Sequence, residues 1–206
     1  MTVTKLTQSQ KIPGRWYLAL ENGETLKVSI AQIADFSLFT GRELNDVELE
    51  ALRKSASCSN AKARALRIIG TRQMSRREIT SRLVQKGETP ENAQEATEYL
   101  ERIGAVNDTE YADSIVRHYS QRCYGTGRIR SELSRHGIPQ ELWEDALCQL
   151  PNNTGALDKF IENRLQGGTP DKKELKKLTD ALLRRGFSWD EIKEALERNR
   201  AAEDFD

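Results

Sequence analysis

The sequence predicts a mainly α-helical protein: three tandem three-helix repeats, helix-turn-helix-like in form, behind a small N-terminal cap that contains a β-hairpin. Three observations carry this. An apolar pattern with helical spacing recurs around Gly87, Gly137 and Gly186, at intervals of 50 and 49 residues. Helix-capping residues stand at corresponding places in the copies. A composition of 31% charged and only 6% aromatic residues in 206 belongs to a helix-rich, heavily solvated fold.

The cap comes first, over 1–56. Trp16-Tyr17-Leu18-Ala19-Leu20 and Thr25-Leu26-Lys27-Val28-Ser29-Ile30 flank Asn22-Gly23, a pair that accepts the positive φ values of a type I′ turn, so a two-stranded hairpin is predicted. Two strands alone are marginal in water. Ile33, Phe36, Leu38, Phe39 and Leu44 are therefore expected to cover one face, followed by a helix from Asn45 or Asp46 to about Lys54. The head is read as a packed cap rather than a partner-binding element.

The repeats are placed at 57–108, 109–154 and 155–206. Aligned on the three glycines, Ile79, Ile129 and Leu178 fall eight residues before and Leu83, Leu133 and Leu182 four before. Ala93, Trp143 and Ile192 fall six after, and Ala96, Ala146 and Ala195 nine after. These are helical offsets. A further apolar segment precedes each block: Leu66, Ile68 and Ile69; Tyr111, Ile115, Val116 and Tyr119; Leu157, Phe160, Ile161 and Leu165. Each repeat is thus three helices, with the glycine ending the second. Ser75-x-x-Glu78 and Ser188-x-x-Glu191 fit the capping box. Pro90 after Thr89, Pro170 after Thr169 and Pro139 after Ile138 are expected at first helical positions. Asn107-Asp108 and 151–155 mark the junctions. Trp143 is read as core. No unit can bury its own faces well, so stacking into an elongated, curved molecule is the expected solution.

The net charge of zero conceals segregation. Residues 57–86 carry eight bases and one acid, and 88–113 carry one base and eight acids. The pairs 114–138 with 139–158, and 159–187 with 188–206, each come to +4 and −4. The first two helices of each repeat are basic and the third is acidic, which suits a phosphate backbone on one side and a basic protein surface on the other. The competing account is mutual neutralisation by surface ion pairs worth about 0–1 kcal/mol each.

Several classes are excluded at the motif level. There is no phosphate loop, dinucleotide fingerprint, His-Glu-x-x-His or Gly-x-Ser-x-Gly elbow. Gly125-Thr126-Gly127 fails the fingerprint because Arg130 occupies its third glycine position. Cys58, Cys123 and Cys148 form no close-spaced pair and only two histidines are present, so a zinc site is not expected and the thiols are read as reduced. No apolar run is long enough to span a membrane, and the start lacks a secretory profile. A cytoplasmic, non-enzymatic monomer without cofactor is expected.

Particular stretches carry a family resemblance. Ser75-Arg76-Arg77-Glu78-Ile79 through Gly87 is similar to the first-repeat motif of the bacterial RecX regulatory proteins, and Asn107 to Ala112 to the start of their second repeat. Tyr124-Gly125-Thr126-Gly127-Arg128-Ile129-Arg130-Ser131-Glu132-Leu133, closing in Arg135-His136-Gly137-Ile138, is the most specific match. Leu182 to Ser188 resembles their third-repeat motif. Glu88 stands where an apolar residue is usual, and His136 where a permanent cation is common.

The resemblance implies a modulator of the recombinase RecA in homologous recombination and the SOS response. Such a protein binds the RecA filament on single-stranded DNA, with weaker duplex binding, and restrains its ATPase, strand-exchange and coprotease activities. The expected contact residues are Arg76, Arg77, Tyr124, Arg128, Arg130, Arg135, Lys176, Lys177, Arg184 and Arg185. Tyr124 and the flexible loop after it are read as an approach to phosphates or a stacking platform. The acidic third helices are read as the protein-facing side. The alternative is a helix-turn-helix transcriptional repressor reading duplex DNA in the major groove.

Overall fold

Two glycine turns shape the N-terminal sheet. In a computed structural model, residues 1–148, 154–165 and 171–203 are described, with residues 154, 156 and 200–203 described by backbone alone. The chain divides into two compact units, 1–106 and 107–206.

The first unit opens with a three-stranded antiparallel sheet, β1 (Val3–Gln8), β2 (Arg15–Leu20) and β3 (Thr25–Ser29), in the order β1-β2-β3. The predicted hairpin is β2–β3, and β1 is an additional strand. Its turn is Ile12-Pro13-Gly14-Arg15, closed by the Arg15 amide on the Ile12 carbonyl, with Gly14 at φ +74°. Proline then positive-φ glycine is the type II arrangement. The β2–β3 connection corrects the expected type I′ turn. Only Gly23 has positive φ (+83°), and its amide closes on the Leu20 carbonyl, as in a tight turn followed by a left-handed residue.

Helix α1 (Ile30–Asp35) starts at the Ser29 capping box. Val3, Leu18, Leu20, Val28, Leu38 and Leu44 form the head's core with Leu49, Leu52 and Ala56, and Ile33 and Phe36 pack at its margin. Phe39 departs from expectation and is exposed.

The helix expected to stop near Lys54 continues as α2 (Asp46–Ile69), 24 residues long and capped by Asn45. The stretch 55–60 is rich in capping residues, yet their side chains serve tertiary contacts. Gln32 donates to Ser55 Oγ, Asn92 donates to Ser57 Oγ, and Asn60 donates to the Lys27 and Ala56 carbonyls. The same helix thus lines the head's core and, through Ala61, Ala65 and Ile68, the core of the first repeat. Leu66, expected to be apolar core, is exposed. Helices α3 (Arg76–Gln85) and α4 (Pro90–Arg102) complete this unit, with Ile79, Leu83, Ala93, Ala96 and Leu100 buried.

In the second unit, α5 (Asp108–Ser120), α6 (Thr126–Arg135) and α7 (Trp143–Cys148) enclose Tyr111, Ala112, Ile115, Val116, Ile129, Leu133, Ile138 and Ala146. Pro139 stands at the N-cap, not the first helical position, of a 3-10 turn, Gln140–Leu142, that leads into α7. Trp143 is half-buried and donates its indole N–H to the Ile138 carbonyl at 3.0 Å, so it seals the edge of the core. The last helices are α8 (Thr154–Leu165), α9 (Lys172–Arg184) and α10 (Trp189–Glu203), around Leu157, Ile161, Leu178, Leu182, Phe187, Ile192 and Ala195. Thr169, Pro170 and most of the 151–155 junction lie outside the described residues. Helix α9 begins after them, with Asp171 as its capping-box residue.

The three aligned glycines behave alike, at φ +89°, +68° and +87°. In each repeat the glycine amide bonds the carbonyl three residues back and the next amide bonds the carbonyl five back, on Leu83, Leu133 or Leu182. This is the Schellman helix end, in which only glycine is unstrained. Ile138 and Phe187 follow the glycine and are buried, whereas Glu88 reaches Arg64 Nε at 3.0 Å.

Candidate nucleic-acid and filament interface

Burying one stripe of α3, α6 and α9 turns their other residues outward. Arg77, Arg128, Arg130, Arg135, Lys176, Lys177 and Arg184 are exposed, while Arg76, Tyr124 and Arg185 are half-buried. These ten residues divide by what they hold.

Arg76 pairs with Glu101 of α4 at 3.2 Å, and Arg130 with Glu144 of α7 at 2.8 Å. Lys62 on α2 likewise pairs with Glu95 on α4. Cross-helix neutralisation is therefore part of the charge pattern. It runs the other way in the third repeat, where Arg198 on α10 meets Asp158 on α8.

Arg128 and Arg135 share a carboxylate that the list of basic residues does not reveal. Glu132 is buried on α6 between Ile129 and Leu133, takes Arg128 at 2.7 Å on one oxygen and Arg135 at 2.6 Å on the other, and is hydrogen-bonded by Tyr119. Burial pushes its carboxyl up, but Arg135, Tyr119 and Arg128 outweigh that and hold it below the usual carboxylate range. Two outward guanidinium groups are thus anchored to one interior anion. The available signal was a lone acid inside the basic run 114–138.

The loop at 124–127 does something other than approach phosphates. The Gly125 amide donates to the Arg185 carbonyl at 2.9 Å, and the Gly127 amide donates to the Gly186 carbonyl at 3.0 Å. A Cβ on Gly125 would collide with the Gly186 and Phe187 backbone, and one on Gly186 with the backbone of Arg128. The glycines let the helix end of the third repeat sit directly on the start of α6.

Arg185 completes this joint. Its guanidinium donates to the Arg122 and Cys123 carbonyls and lies over the rings of Tyr124 and Phe160, 5.1 and 4.5 Å from their centroids. Tyr124 also meets Tyr119 edge-on, so a stacking face for a base is occupied by protein. Cys123, at φ +55°, contributes its side chain to the third repeat's core, and burial pushes its thiol up. His136 packs edge-on against Tyr111, with Nδ1 3.1 Å from the phenol oxygen. All three cysteines are free. Among the described residues no His, Cys, Asp and Glu group is placed to hold a metal, and no helix is long and apolar enough to cross a membrane.

Sequence models of three RecX domains match in order: the first three-helix domain over 61–100, the second over 107–147 and the third over 156–196. A regulatory protein RecX of Trichlorobacter lovleyi is 33% identical over 141 residues, 65% of this chain and 92% of that protein. One of Streptococcus gordonii is 28% identical over 208 residues, 99% of this chain and 79% of that protein. The crystal structure of a regulatory protein RecX superposes with a TM-score of 0.72 at 22% identity, over 95% of this chain and 98% of that one. RecX from Lactobacillus salivarius superposes at 0.62 and 24% identity, over 71% and 99%. With all three repeats accounted for and a relative aligned over nearly its full length, the chain belongs to the RecX family of regulatory proteins.

Proposed function

We propose that this protein binds RecA filaments assembled on single-stranded DNA and restrains their ATP hydrolysis, strand exchange and coprotease action in the bacterial cytoplasm. The observation that carries the reading is the presence of three successive RecX domains in one chain. Several modest contacts from linked modules add through effective concentration, which suits a partner that repeats along a helix. Arg77, Arg128, Arg130, Arg135, Lys176, Lys177 and Arg184 supply outward positive charge, and exposed carboxylates such as Glu91, Glu98 and Glu144 supply a complementary protein-facing charge. Tyr124 and Arg185 serve instead to join the second and third repeats. Regulation by binding alone requires neither a catalytic group nor a cofactor.

The test is single-stranded-DNA-dependent ATP hydrolysis by RecA while the purified protein is titrated in. Inhibition is expected at concentrations too low to sequester the DNA. Arg128→Gln with Arg130→Gln, at unchanged helical circular dichroism, should raise the half-inhibiting concentration roughly tenfold, equivalent to about 1.4 kcal/mol. No inhibition by the wild type, combined with tight sequence-selective duplex binding, would replace this reading with the repressor one.

A further inference from the structure

Half of the bases in residues 57–86 are neutralised where they stand. Lys62 pairs with Glu95, Arg64 with Glu88, Arg72 with Glu78 and Arg76 with Glu101. The other four, Arg67, Arg77, Arg82 and Lys86, have no carboxylate partner among the described residues. Three of them converge. Arg67, Arg82 and Lys86, with Arg64, Ile68 and Thr71, line a cleft of about 550 Å³ between α2 and α3.

The cleft is held open by its own walls. Arg64 donates to the Lys86 carbonyl, which ties the end of α3 to α2. Arg67 spends one N–H on the Ala63 carbonyl at 3.3 Å, leaving the rest of its guanidinium for another acceptor. Arg67 and Arg82 lie in the last helical turns and Lys86 at a C-cap, places where the helix dipole favours a cation by about 0.3–1 kcal/mol. The dipole accounts for bases at those positions. It does not account for three of them meeting around one opening without a carboxylate, when other bases on the same helices have one.

Like charges gathered at a concave surface focus positive potential, and guanidinium forks match phosphate oxygens. The volume lies in the range of about 300–1,000 Å³ common for ligand sites, which suits a length of chain better than a single small anion. We propose that this α2–α3 cleft is a phosphate site that takes the phosphodiester backbone of single-stranded DNA. The proposal deepens the nucleic-acid half of the function above and rests on it, adding a contact in the first repeat.

The experiment uses the full chain and no RecA, so that filament regulation and this site can fail separately. Binding of a fluorescein-labelled oligodeoxythymidine is followed by anisotropy across a salt series for the wild type, Arg67→Ala/Arg82→Ala/Lys86→Ala, and the charge-keeping Arg67→Lys/Arg82→Lys. Arg67 and Lys86 are exposed and Arg82 half-buried, so the fold should survive, as circular dichroism checks. The triple variant should bind roughly tenfold more weakly at about 0.1 M salt, with its log K against log salt slope reduced by about 2, near 0.7 per phosphate released. The lysine variant should keep the wild-type slope.

Unchanged affinity and slope in the triple variant would overturn the site. So would stabilisation of the wild type, but not the variant, by inorganic phosphate when oligonucleotide binding is equal in both, since the cleft would then serve a free anion. Failure of the wild type to bind the oligonucleotide would remove both this site and the free-DNA half of the function, leaving filament regulation to the ATPase titration.

Discussion

Glu132 shows how one buried acid governs the exposed residues around it. Its carboxylate sits among apolar side chains only because Arg128, Arg135 and Tyr119 satisfy it; removing such a partner leaves a buried polar group costing about 1–3 kcal/mol. Its folded pKa is lowered. Its contribution is therefore complete above the unfolded carboxylate value of about 4.3 and is lost as pH falls through the lower folded value. Glu132→Gln should reduce unfolding free energy by about 1–3 kcal/mol at pH 7 and flatten the acid limb of the stability profile. Denaturant titrations from neutral pH to pH 3 measure both, and a variant matching the wild type throughout would show that the two arginines do not depend on Glu132.

The same helix end occurs three times but is used differently at the element scale. Gly87 at φ +89° has open space where a Cβ would go, whereas a Cβ on Gly186 at φ +87° meets the backbone of Arg128. Gly87→Ala should cost only backbone strain, about 1–2 kcal/mol. Gly186→Ala should cost more, because rigid main chain must also move apart, with amide protection falling across α8–α10 in hydrogen exchange. Equal costs at the two positions would mean that the joint is looser than its hydrogen bonds require. A fixed spacing from a helical apolar pattern made these glycines legible as helix ends. Nothing in that spacing distinguished the one pressed against Gly125, since the contact spans about sixty residues of chain. Strand β1 escaped notice for a related reason. Val3 and Leu6 are three residues apart, yet both reach the core because a register irregularity lies between Val3 and Lys5, which breaks the alternation that marks a strand.

At the scale of the molecule, zero net charge combines with segregated charge. The pairs Lys62–Glu95, Arg76–Glu101, Arg130–Glu144 and Arg198–Asp158 lie between helices at the surface, each worth about 0–1 kcal/mol and screened by salt. Folding stability should therefore respond weakly to ionic strength, with melting temperature moving by no more than a few degrees between about 0.05 and 0.5 M sodium chloride. Nucleic-acid affinity, which depends on the cations left over, should fall steeply over the same range. A melting temperature that collapses with salt would assign the segregated charge to holding the fold together.

Periodicity, capping chemistry and glycine placement are local properties, so the sequence alone determined the three repeats, their buried stripes, the helix ends and the basic character of the leading helices. It also carried the RecX resemblance, which the three matching domains establish. Partner choice is a long-range property, and only the tertiary structure decided it. Folding brought Glu132 under two arginines, laid Arg185 over Tyr124, and closed the 124–127 loop onto Gly186. It also paired four of the eight bases in 57–86 and gathered three others around one cleft. A charge count along the chain weighs all eight alike; in the fold, desolvation and the distance to the nearest carboxylate separate the bases that hold the protein together from those left to meet a phosphate.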